Sequence, residues 1–185
     1  MPDERWAERC RAQGVHLLEG EVPPWAFETG FVLAWDMKTV YPVGAYERCG
    51  KAVIYPPQTL NPVEEESMLA AAMGLARLRE QSGVMTVRFA KQRDGSDFAL
   101  TDVDEQLSLE AKFLLTLRGL WDGEGASFLK PGQQPPELTE LPVAGVSVGE
   151  TLYTADTLRG VLLQLPPSVQ EAFTGFYEKV LRHGG

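Results

Sequence analysis

The sequence is poor in the residues from which most recognisable sites are built. Of its 185 residues only two are cysteine, Cys10 and Cys49, and only two are histidine, His16 and His183. The cysteines stand far apart and outside any Cys-x-x-Cys pattern, so neither a disulfide framework nor a thiolate zinc site is expected. Nucleophilic catalysis needs a thiol or hydroxyl beside a base, and a Cys49–His16 dyad has no local support in the sequence. No Gly-x-Ser-x-Gly elbow, Walker loop, His-Glu-x-x-His or dinucleotide fingerprint occurs, and no cofactor is expected. The chain lacks an apolar run of about eighteen residues, and its opening Met1-Pro2-Asp3-Glu4-Arg5 is not laid out as a secretory signal. A cytoplasmic protein with no membrane span is the expectation. Positive charge is also scarce: 17 Lys and Arg stand against 26 Asp and Glu, a net charge of -9. No basic run of the density needed to grip phosphate backbones is present, so nucleic acid is not an expected partner.

What is present is ordinary globular composition, 44% hydrophobic and 23% charged. That length and composition can bury a core without covalent staples, and residues 1–185 are read as one domain. The class is α+β: a small, mostly antiparallel sheet, made of an N-terminal meander plus a hairpin, packed by three to four helices. Residues 2–13 form a short helix stopped at Gly14. The run Phe31-Val32-Leu33-Ala34-Trp35-Asp36 reads as a buried strand, followed by strands over 39–43 and 51–55, with Pro42 marking an edge or a bulge. Asn61-Pro62-x-Glu64 is a capping box that opens a helix to about Gln81. Residues 84–101 alternate as a hairpin around Asp94-Gly95, and a second helix is expected after Thr101 or Asp102, ending near Gly119. Residues 122–142 read as a long Gly/Pro-rich loop, 143–148 as a returning strand, and two helices are expected beyond Ala155.

Three groups could carry function. Asp94, Asp97, Asp102, Asp104, Glu105 and Glu110 form the densest acidic group, but each has a local role: Asp102 with Glu105 as a capping box, Asp104 at a helix's positive end. Arg88, Lys91 and Arg93 form a basic patch on the exposed side of a strand, where such residues keep an edge soluble. Aromatic rings gather early in the chain, and Trp25, Tyr41 and Tyr46 are placed in an interaction surface, with Trp25 and Tyr46 exposed.

Asp36 ends an apolar strand, where a carboxylate can meet metal or substrate. The order of three strands, helix, strand, helix, strand, helix resembles the ribonuclease H-like arrangement, and this resemblance implies a metal-binding aspartate at Asp36 and phosphoester hydrolysis. The sequence therefore leaves two readings. The preferred one is a non-catalytic protein-interaction domain of adaptor, inhibitor, immunity or assembly-chaperone type, binding a basic protein partner through Trp25, Tyr41, Tyr46 and Arg88. The alternative is a metal-dependent hydrolase centred on Asp36. Partner identity and oligomeric state are not encoded legibly.

Overall fold

The computed structural model describes residues 3–18, 28–49, 52–57, 60–91, 98–129, 144–148 and 151–154, with four isolated positions beyond 133. Its elements are α1 (Glu4–Ala12), β1 (Glu28–Trp35), β2 (Val40–Cys49), β3 (Ala52–Tyr55), α2 (Pro62–Ala76), β4 (Gly83–Lys91), β5 (Phe98–Asp104), α3 (Leu109–Leu117), a 3-10 turn (Ser127–Leu129), β6 (Gly145–Val148) and β7 (Thr151–Thr154). All seven strands join one sheet in the order β5-β4-β1-β2-β3-β6-β7, and every named pair is antiparallel. The expected small antiparallel sheet and α+β class are present. The two helices expected beyond Ala155 fall outside the described residues, as do Trp25, Arg93 and the Asp94-Gly95 turn.

The apolar run of β1 is continuous because this strand lies in the middle of the sheet and is covered on both faces. On one face Phe31, Leu33 and Trp35 pack with Trp6 and Cys10 of α1 and with Met68, Ala72 and Leu75 of α2. On the other, Val32 and Ala34 pack with Tyr46, Tyr55, Ala111, Leu114 and Phe128. Helices therefore cover both sides of one sheet and give it two apolar layers. The capping box at the start of α2 is formed as expected: Asn61 Oδ1 accepts from the Glu64 amide at 2.8 Å, and the Asn61 amide donates to Glu64 Oε1 at 3.2 Å.

Two bulges set which residues face which layer. Opposite Val32 and Leu33, β2 carries one extra residue at Val43, beside Pro42, so the proline marks a bulge as its chemistry requires. β2 nevertheless continues to Cys49, well past the expected end at Val43. Opposite Arg88 and Phe89, β5 carries an extra residue at Thr101. Strand alternation from Phe98 and Leu100 would put Asp102 and Asp104 into the apolar layer of α1 and α2. The bulge reverses the parity, so that Val103 enters that layer and the two aspartates turn to the opposite face. β5 thus runs on to Asp104 where a helix start was expected, and α3 begins seven residues after Asp102, capped by Ser108, whose Oγ accepts from the Ala111 amide at 3.1 Å. The hairpin β4–β5 follows α2, and with every pair of named strands antiparallel the ribonuclease H-like order is not the arrangement found.

Candidate functional site

The site grows from a missing side chain. A Cβ on Gly30 would lie 2.1 Å from Tyr46 Cζ, so only glycine lets the Tyr46 ring cross β1. The ring is fully buried, and its hydroxyl accepts a hydrogen bond from Arg88 Nε at 2.9 Å. Arg88 stands opposite Gly30 on β4, and the bulge at Thr101 sets Asp102 opposite it on β5. Arg88 Nη1 donates to Asp102 Oδ2 at 2.7 Å. Glu28 of β1, Asp104 of β5 and Glu110 of α3 complete the ring, at 3.9, 3.6 and 4.0 Å from the guanidinium. Arg48 of β2 pairs with Glu110 from the other side.

Four carboxylates and two guanidiniums thus meet on the α3 face of the sheet. The Arg88 side chain is 13% exposed and Glu110 9%, whereas Asp102 and Asp104 remain 33% and 28% exposed. Burial works against the charge of Arg88, but Tyr46, Asp102 and Asp104 hold its pKa above the ordinary guanidinium value. Burial also pushes the Tyr46 hydroxyl up, with Arg88 acting against it, so this tyrosine is a neutral hydrogen-bonding partner at physiological pH.

These positions correct three sequence expectations. Arg88 is not on an exposed face; it is the centre of a mostly buried ion cluster. Tyr46 is not in an exposed turn but lies inside β2 with its ring in the core. Asp102 and Asp104 do not cap a helix; they pair with Arg88 from a strand. Tyr41 is half-buried, stacked edge-on against Phe128 at 6.1 Å, with its hydroxyl donating to Asp36 Oδ2 at 3.2 Å. Lys91 is engaged by Glu64 at 2.5 Å.

Asp36 closes a turn. Its Oδ1 accepts from the Lys38 and Thr39 amides at 2.8 and 2.7 Å, where Met37 takes a positive φ of 75°. The Thr39 amide foremost, with Lys38 and Tyr41, holds its carboxyl below the usual aspartate range. Both oxygens are committed to local donors, and among the described residues no three acid, histidine or cysteine side chains are grouped to hold a metal ion. The metal-centred reading of Asp36 has no site here.

Elsewhere, a groove of about 500 Å³ lies where β2 outruns β3, lined by Phe31, Pro42, Ala45, Pro56 and Leu69 with Arg118 at its rim. Arg118 donates to the Val43 carbonyl, satisfying part of that open strand edge.

No family model and no curated relative matches this chain. Solved structures do. The chain is similar to Kluyveromyces lactis urea carboxylase at 20% identity and a TM-score of 0.59, over 77% of this chain and 13% of that one. It is similar to Campylobacter jejuni biotin carboxylase, solved as its beta-gamma-ATP complex, at 15% identity and a TM-score of 0.56, over 69% and 30%. It is similar to N5-carboxyaminoimidazole synthase from Aspergillus clavatus, solved with ADP and 5-aminoimidazole ribonucleotide, at 12% identity and a TM-score of 0.55, over 65% and 33%. At these identities the likeness is one of fold alone: the chain resembles a part of these biotin carboxylase-type enzymes and spans a third or less of each. That enzyme-related fold overturns the expectation of a non-catalytic interaction domain, and with it the alternative of a ribonuclease H-like hydrolase.

Proposed function

We propose that this chain is a nucleotide-binding domain of the biotin carboxylase type, taking an adenine nucleotide such as ATP or ADP. One observation supports the reading: most of the chain overlays about a third of each of two neighbours that were solved with ATP or ADP bound. A cytoplasmic location goes with the reading, since nucleotide is abundant there.

A nucleoside triphosphate usually arrives with Mg²⁺, held by one or two carboxylates together with the phosphates. The acid cluster at Arg88 does not fit that ion. Its carboxylates are arrayed around a planar guanidinium, not around a shared point, and Asp102 Oδ2 is already bonded to Arg88 Nη1. With four carboxylates against two guanidiniums, it also repels a bare polyphosphate.

The test is binding. ATP and ADP, each titrated to millimolar concentration with and without Mg²⁺, should raise the melting temperature of the chain by preferential binding to the folded state, and calorimetry should give a saturable isotherm. An unchanged melting temperature together with a flat isotherm for both nucleotides would overturn the reading.

A further inference from the structure

We infer that Arg88 is a built-in counter-ion that closes the acid cluster of Glu28, Asp102, Asp104 and Glu110 to divalent metal. Four carboxylates from β1, β5 and α3 lie within 4.0 Å of one guanidinium, which occupies the position a bound cation would otherwise neutralise. The guanidinium is fixed. The Tyr46 hydroxyl accepts from Nε and Asp102 accepts from Nη1, and the Tyr46 ring is itself clamped across Gly30. A planar fork with five donors can satisfy several carboxylates at once, and it keeps its charge at any working pH. An ion exchanging with solvent could not match such permanence.

Arg48 strengthens the arrangement by taking Glu110 from the β2 side, so that Glu28, Asp102 and Asp104 depend on Arg88 alone among the described ion pairs. Removing the Arg88 charge would leave three carboxylates without a cation, two of them, Asp102 and Asp104, partly open to solvent and two residues apart on one strand face. Such a pair is the kind of donor set that a hard divalent ion takes up with water completing its shell. The inference does not depend on nucleotide binding, and its probe is metal alone.

The experiment compares Mn²⁺ binding, read by the loss of the free-ion paramagnetic resonance signal, and the Mg²⁺-induced change in melting temperature. In the wild-type chain both should be small and unchanged by Asp104→Asn. In Arg88→Met, Mn²⁺ should bind at least about tenfold more tightly, the order of gain expected when one neighbouring positive charge is removed from a partly exposed pair. Mg²⁺ should raise the melting temperature of that variant selectively, and adding Asp102→Asn should abolish both gains. Tight Mn²⁺ binding by the wild type that Asp104→Asn removes would overturn the inference, as would an Arg88→Met variant that folds and gains nothing. If Arg88→Met does not fold, the wild-type comparison with Asp104→Asn decides alone.

Discussion

At the scale of single residues, the site depends on a hydrogen atom where every other residue has a carbon. Gly30 is a strand residue with both neighbours paired, a place where glycine is normally unfavourable because it packs nothing and loses the most backbone freedom. It is tolerated here because the Tyr46 ring occupies the volume of its missing side chain. Tyr46 cannot retreat: it is buried on all sides, it leans on Tyr55 at 6.3 Å, and its hydroxyl is tied to Arg88. Gly30→Ala is therefore expected to destabilise the chain by about 3 kcal/mol or more, at the upper end of overpacking costs. Equilibrium urea unfolding measures it. Combining it with Tyr46→Ala should cost clearly less than the two single changes added together, because the clash exists only while the ring is present. Strict additivity of the two changes would mean that the ring moves aside, and would remove the clamp from the account of Arg88.

At the scale of elements, the sequence was legible wherever one local rule decided the outcome, and misleading wherever a bulge or a distant strand did. The Asn61 capping box, the buried run at Phe31, the proline-marked bulge at Pro42 and the stop at Gly119, whose φ is 71°, each follow from neighbouring residues alone. Asp102 and Asp104 did not. Read locally, Thr101-Asp102-Val103-Asp104-Glu105 is a helix cap with acid in the first turn; in the fold, the register of β4 holds it as strand and the Thr101 bulge turns its acids toward Arg88. Tyr46 failed for the same reason, because Gly44-Ala45-Tyr46-Glu47 has turn chemistry but lies opposite the middle of β1. The Arg88 cluster draws on five elements, β1, β2, β4, β5 and α3, so no spacing in the sequence announces it; the faint signal was a glycine bordering an apolar run. The assignment of the helix start can be checked directly. Ser108→Ala should cost about 1 kcal/mol, the usual loss of an N-cap. Thr101→Val should be close to neutral, since the Thr101 hydroxyl is buried in the bulge without a partner and a similar shape replaces it. The opposite ranking in thermal or urea unfolding would restore the cap to Thr101.

At the scale of the whole molecule, the question is whether two apolar layers make one cooperative unit. They lie on opposite faces of the same sheet and share its strands: β1 gives Phe31, Leu33 and Trp35 to one layer and Val32 and Ala34 to the other. Neither layer can lose its packing while β1 stays in register, because that strand's hydrogen bonds to β2 and β4 fix both faces together. The expectation is a single transition. Leu75 of α2 and Leu114 of α3 are fully buried, one in each layer. Truncating either to alanine should cost about 2 to 5 kcal/mol. For a domain of this size that lowers the melting temperature by roughly 2 to 4 °C for each kcal/mol. Both variants should shift the same calorimetric peak, with the van't Hoff and calorimetric enthalpies remaining equal. If Leu75→Ala and Leu114→Ala instead moved two separable steps, α2 with its layer and α3 with its layer would be independent units. The Arg88 cluster, which lies on the α3 face, would then be lost in the step that Leu114→Ala moves.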